Sequence, residues 1–304
     1  MAHFNLADLK QSTSLDLLAR HLVEGFITGL HKSPYHGFSV EFSEHRLYNE
    51  GESTRHIDWK VFARTDRLYT KQYAEETNLR CLLVVDQSPS MFYPKPGNEK
   101  MKFAVFASAA LGYLLQTQRD AVGLCTFDDK INLLTPIKST SAHLNQIFHH
   151  LQETIVEKKP AGKTNTEVAI VLDEIAEKIH KRSLVVIFSD FFESSQDELK
   201  LFKALQHIRH NKHEVIVFHV SDRKTEENFE FDQRQTEFVD LESGEKLTIN
   251  PLEIKTHYQN QAKAYYKAVK QKCLQYKIDF IEADISDGFQ HILQSFLIKR
   301  SKMK

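Results

Sequence analysis

Cys81-Leu82-Leu83-Val84-Val85 runs without a polar residue into Asp86-Gln87-Ser88-Pro89-Ser90. Consecutive apolar residues leave no face for water, which is the pattern of a central strand covered on both sides. The carboxylate and two hydroxyls that follow fall on the kind of turn where open α/β sheets bind ligands. Comparable apolar runs recur at 122–127, 184–188, 215–218 and 278–281. Segments of helical periodicity separate them at 100–116, 143–151, 167–179, 197–209 and 260–273, with a final helix at 289–299. In the third of these, Val168, Val171, Leu172, Ile175 and Ile179 share one face, while Glu174, Glu177 and Lys178 point to water. Strands alternating with helices predict an α/β fold, with a doubly wound, mostly parallel sheet carrying helices on both faces.

The chain has 304 residues, 41% hydrophobic and 27% charged, enough apolar matter for a sizeable core and too much for a disordered chain. Forty basic residues face forty-one acidic ones, a formal net charge of −1, so global charge points to neither nucleic acid nor an anionic membrane. Three cysteines, Cys81, Cys125 and Cys273, form neither a disulfide framework nor a CxxC zinc pattern, which suits a reducing compartment. No leader-like start and no apolar run near the ~20 residues of a bilayer span are present, so a soluble cytoplasmic protein is expected. An anchored partner would still allow indirect membrane association.

Leu15, Leu18, Leu22, Val23, Phe26 and Leu30 recur at helical spacing after Ser14, a suitable N-cap. Pro34 and Gly37 then turn the chain into extended residues 38–42. From 41 to 80, aromatic residues alternate with dense charge, and residues 1–78 are read as an appendage of one helix and small strands before a main domain at 79–300. Within the main domain, Gly244 between two short extended segments predicts a hairpin insertion at 237–249. The alternating charges of 221–235 predict solvated connections.

A hard dication wants oxygen ligands, and the alternating Asp86, Ser88 and Ser90 present such oxygens if their turn curls around an ion. Thr164, before the helix that starts near Val168, and Asp190, directly after the 184–188 strand, supply two more. Magnesium is the expected ion, with manganese its chemical alternative. Thr164 also fits a local capping box, Thr164-Asn165-Thr166-Glu167. Lys163 beside it brings a positive charge that opposes a cation, and its long side chain can reach solvent or an incoming acid instead.

These residues resemble the metal-ion-dependent adhesion motif of von Willebrand factor A-type domains, which has DxSxS, a threonine on a second loop and an aspartate on a third. The resemblance implies a Rossmann-like sheet in which Asp86, Ser88, Ser90, Thr164 and Asp190 surround a metal able to accept an acidic side chain of a protein partner. The preceding segment, Arg46-Leu47-Tyr48, then Gly51-Glu52-Ser53-Thr54-Arg55-His56-Ile57-Asp58-Trp59, resembles the DUF58 family, whose pattern is RxYxxGDxxRxIDW before an A-type domain. Here Glu52 stands at the usual Asp. The likeness extends over about 15–297. It implies work beside a MoxR-type AAA+ ATPase in assembly, maturation or stress tolerance of a client protein, in a chaperone-like manner. Arg46, Tyr48, Arg55, Asp58 and Trp59 would then organise an interface of the appendage, with the indole buried.

Other chemistries find less support. Between 41 and 80, eight acidic residues offset seven basic ones, against an RNA surface built from the arginines and aromatic rings. His207, His210 and His213 lack a thiol or carboxylate at zinc spacing and are read as surface or packing residues. Cys81 and Cys125, each on a strand and without an adjacent histidine, read as core. Neither a GxSxG elbow nor a GxxxxGK[ST] loop occurs. A metal-dependent protein-interaction or adaptor module is the leading reading, with no catalytic residue assigned. A magnesium-dependent hydrolase is the alternative, and a scaffold with a vestigial cation pocket the third.

Overall fold

The computed structural model describes residues 15–29, 44–48, 59–72, 79–155, 168–191, 198–231, 235–241 and 244–287. It divides into one unit of Met1–His31 with Leu79–Lys304 and a second of Lys32–Asn78. In chain order the elements are α1 (Leu15–Gly29), β1 (Glu44–Leu47), α2 (Trp59–Thr65), β2 (Tyr69–Gln72), β3 (Arg80–Asp86), α3 (Glu99–Thr117), β4 (Ala121–Phe127), β5 (Ile131–Leu134) and α4 (Ser141–Thr154). They continue as α5 (Val168–Lys178), β6 (Leu184–Ser189), α6 (Glu198–His210), β7 (Glu214–Ser221), β8 (Thr236–Val239), β9 (Lys246–Ile249), α7 (Pro251–Gln275) and β10 (Asp279–Asp284). A 3₁₀ turn follows β3 at Pro89–Phe92, and a π-helical turn follows β7 at Arg223–Glu227.

In the larger unit, six strands form one sheet in the order β10-β7-β6-β3-β4-β5, parallel except for β5, which runs antiparallel to β4 at an edge. This is the expected doubly wound, mostly parallel α/β architecture, with helices on both faces of the sheet. Side chains of β3 alternate between its two apolar layers. Cys81, Leu83 and Val85 pack with residues of α1, α3 and α4, whereas Leu82 and Val84 pack with residues of α5, α6 and α7. Each large side chain so enclosed contributes roughly 1.5–3 kcal/mol relative to exposure, so the apolar runs fix the central strands in the sheet.

Two boundaries and one added strand differ from expectation. The appendage narrows from 1–78 to Lys32–Asn78, because Leu15, Leu18, Ala19 and Val23 of α1 join the main core beside α3. Their periodicity marks a packing face without saying which partner covers it. Helix α7 begins at Pro251, not 260, with Asn250 as its cap accepting from the Leu252 N–H at 3.2 Å. The edge strand β5 is an addition; four half-exposed residues behind a register shift at Thr126/Phe127 give little periodic signal. The expected hairpin is present as β8 and β9. The expected helix at 289–299 lies outside the described residues. Among those described, no helix is long and apolar enough to cross a membrane.

Gly123 in β4 marks a close approach, since a Cβ built there would lie 2.9 Å from Ile137 Cγ1 and 3.3 Å from the Thr135 carbonyl oxygen. Gly123→Ala is therefore expected to destabilise the fold by about 1–3 kcal/mol, as overpacking does. Urea denaturation followed by tryptophan-independent far-ultraviolet circular dichroism measures the loss.

Candidate functional site

Strand β3 is apolar from Cys81 to Val85, so Asp86 is delivered, almost wholly buried, to the carboxyl end of the sheet. Its Oδ1 accepts from the Ser88 backbone N–H at 2.8 Å, which closes a short turn, and its Oδ2 accepts from the Ser189 hydroxyl at 2.6 Å. The turn brings the Ser88 and Ser90 hydroxyl oxygens to 3.0 Å from each other. Pro89, between them, opens the 3₁₀ turn with its φ already fixed. Ser88 is buried and Ser90 half-buried.

Neighbouring strand β6 ends in Ser189, followed by buried Asp190. Phe191 then adopts φ +46°, a left-handed conformation disfavoured for a bulky residue. Two hydrogen bonds hold it: its N–H donates to Ser189 Oγ at 3.0 Å, and the Tyr265 hydroxyl of α7 donates to its carbonyl at 2.6 Å. Ser189 thus links the ends of two strands, donating to Asp86 while accepting from Phe191.

Electrostatics here follow from burial. Removal from water, and then the field of Asp190, push the Asp86 carboxyl up to about 7, against hydrogen bonds from Ser189 and Ser88 that pull it down. Lys100, on the first turn of α3, is fully buried. Its Nζ donates to Asp190 Oδ2 at 2.8 Å and to Glu226 Oε1 at 2.5 Å, with the Tyr93 ring centroid at 5.7 Å. Burial lowers the lysine's proton affinity, but Asp190 and Glu226 more than reverse this, and the ammonium is held above its ordinary range. Glu226 is nevertheless pushed up, because its own burial outweighs Lys100. His219, on β7, is driven by burial to about 4 and is neutral.

Asp86, Ser88, Ser90 and Asp190 are therefore gathered at adjoining strand ends. Thr164, Lys163, Arg55 and Asp58 lie outside the described residues. Arg46 falls in β1, paired with Thr70, and the Tyr48 N–H donates to the Leu68 carbonyl at 2.9 Å. Trp59 is 61% exposed and meets Phe62 edge-on at 6.2 Å. His207 pairs with Asp173 at 2.9 Å, and His213 accepts from the Ser183 N–H at 3.2 Å, as packing residues do. Reading 221–235 as solvated connections also needs correction, since Glu226 reaches a buried ion pair. Ser189, Lys100 and Glu226 escaped sequence reasoning, although Lys100 on the core side of an apolar helix is itself a signal, because a buried lysine requires partners.

The oxygen set suits a hard dication. Asp86 and Asp190 supply charge, the two serine hydroxyls supply neutral oxygens, and three linked carboxylates against one ammonium leave two negative charges uncompensated when ionised. Among the described residues, no three His, Cys, Asp or Glu side chains gather as a metal cluster. An ion here would depend on the hydroxyls.

The model of the family described as "Protein of unknown function DUF58" matches residues 44–269. The chain is 28% identical over 209 residues to the uncharacterized protein Rv1480 of Mycobacterium tuberculosis and to the uncharacterized protein Mb1516 of Mycobacterium bovis, covering 69% of this chain and 63% of each relative. It thus spans less than two thirds of the length of these curated relatives. Among solved structures, the conserved hypothetical protein BatB from Bacteroides thetaiotaomicron is similar at a TM-score of 0.45 and 12% identity, over 74% of this chain and 99% of that one. The vWF domain of the type V pili tip protein Mfa5 from Porphyromonas gingivalis gives a TM-score of 0.33 and 12% identity, over 72% and 95%. At these values they say nothing of this chain's activity.

The Asp86 shift has a defined sign. A carboxyl raised in the fold contributes stability that is present below its unfolded value near 4 and lost as pH rises through about 7. In EDTA, Asp86→Asn is expected to raise the thermal midpoint above pH 7 by at least about 4 °C, the shift that ~2 kcal/mol gives in a domain of this size. The gain should shrink as pH falls toward 4, which differential scanning fluorimetry across that range measures.

Proposed function

The chain belongs to the DUF58 family, and from that premise we propose that it is a metal-dependent protein-interaction module, an adaptor whose ion site captures an acidic side chain of a partner. Asp86, Ser88, Ser90 and Asp190 would hold magnesium or manganese, with Thr164 completing the set. The observation that carries this reading is the pair of serine hydroxyls 3.0 Å apart beside a buried carboxylate still short of positive charge. Hydroxyl ligands add no charge, so a dication bound among them stays electrophilic and offers a position to a partner's carboxylate. This chain's own residues set that position: Ser189 fixes the rotation of Asp86, and the Ser88 N–H fixes the turn that aims the hydroxyls.

The family resemblance directs the choice of partner to a MoxR-type AAA+ ATPase and, through it, a client protein undergoing assembly, maturation or recovery from stress. Arg46, Tyr48 and Trp59, with Arg55, Asp58 and Lys163, are the residues proposed to widen the contact. Trp59 suits this through its exposure, since an accessible indole contributes large area at an interface.

Affinity for a purified MoxR-type ATPase, measured by surface plasmon resonance in magnesium and in EDTA, tests the reading. Magnesium should tighten binding at least about tenfold, the equivalent of ~1.4 kcal/mol. Ser88→Ala should remove most of that gain with little change in thermal midpoint. Equal affinity with and without the ion would overturn the metal-dependent contact, and phosphoester turnover lost in Asp86→Ala would replace it with a hydrolase.

A further inference from the structure

Lys100 is the one buried ammonium among the described residues, and it is tied at once to the candidate ion site and to a turn outside it. Its Nζ lies 2.8 Å from Asp190 Oδ2 and 2.5 Å from Glu226 Oε1. The other Glu226 oxygen accepts from the Asp222 N–H at 2.8 Å, closing the π-helical turn at Arg223–Glu227 on itself. From there the chain meets α7: Gln259 Nε2 donates to the Asn228 carbonyl at 2.7 Å, and the Phe229 and Tyr258 rings lie 4.4 Å apart. One side chain on α3 thus connects the end of β6, the turn after β7 and the flank of α7.

We propose that Lys100 is a built-in counter-cation and positioning residue, which holds Asp190 in place without a metal and competes with a dication for that carboxylate, while Glu226 holds Lys100 back. This deepens the metal-dependent reading of the site and rests on it. Asp190 bonded to Lys100 offers an incoming ion a carboxylate already partly neutralised, so the lysine sets how much ion is needed. Glu226 opposes it, because each share of the ammonium that it takes releases Asp190. An ion pair that served packing alone, away from the ion site, would leave ion affinity unchanged in both variants.

The test measures binding of magnesium alone by isothermal titration calorimetry, with thermal midpoints in EDTA and in excess magnesium. Lys100→Met keeps the length and apolar stem of the side chain without its charge. Its midpoint in EDTA should fall, magnesium should restore most of the loss, and magnesium should bind about tenfold tighter than in the unaltered chain. Glu226→Gln leaves Lys100 to Asp190 alone and should weaken magnesium binding several-fold while the protein stays folded. Opposite shifts in the two variants support the proposal. If Lys100→Met does not fold even in excess magnesium, Glu226→Gln decides: unchanged affinity overturns the proposal and several-fold weaker binding supports it. Magnesium binding of equal strength in all three chains overturns the role of Lys100 and leaves the metal reading standing. Absence of magnesium binding from all of them overturns both.

Discussion

Two adjacent parallel strands that each lead into a buried carboxylate set the terms for everything around them. Val85 pairs with Phe188 across β3 and β6, so the chain delivers Asp86 and Ser189 side by side, with Asp190 one residue further on. Taking an ionised carboxylate out of water without a counter-charge is costly, on the scale of several kcal/mol even after relaxation. The apolar strands leave little freedom to avoid that cost, because a one-residue slip would exchange the residues facing the two core layers. The carboxylates are therefore stabilised where they stand, by the Ser88 N–H and Ser189 hydroxyl on Asp86 and by Lys100 on Asp190.

The same demand accounts for the unusual backbone after β6. A left-handed Phe191 costs roughly 1–2 kcal/mol, and it is held by the Ser189 hydroxyl on one side and Tyr265 on the other. Strain of this kind persists only where its surroundings over-determine it. Here the surroundings include the hydroxyl that also fixes Asp86. The rotation of one candidate ligand and the backbone beside the other are consequently coupled through a single oxygen atom.

What the chain discloses before folding divides along the range of the forces involved. The strands at 81–85, 122–127, 184–188 and 215–218 are legible because burial on both faces writes itself into consecutive residues, and each falls in a strand of the sheet; the run at 278–281 overlaps β10, which starts one residue later at Asp279. Asp86, Ser88, Ser90 and Asp190 are legible because turns directly after such strands gather at one end of the sheet. Lys100 and Glu226 are far apart in sequence, and no local pattern joins them; their union depends on where α3 meets the turn after β7. The placement of α1 fails for the same reason. Its apolar face is plain in the sequence, but the neighbour that covers it is a long-range fact.

Lysine is suited to this particular pocket for a physical reason that separates it from arginine. An ammonium is a compact charge on a flexible stem, and its three donors can divide between two carboxylates without the planar geometry that a guanidinium imposes. The aliphatic stem lies among core residues of α3 while the head reaches the polar end of the sheet, so packing and charge are met by one residue. With three linked carboxylates and one ammonium, Lys100 lessens the electrostatic cost of the site without cancelling it. A second ammonium would leave little attraction for a dication, and none at all would leave the acids without internal compensation. The site is built between those limits: one internal ammonium compensates part of the buried charge, and two negative charges remain when all three acids are ionised.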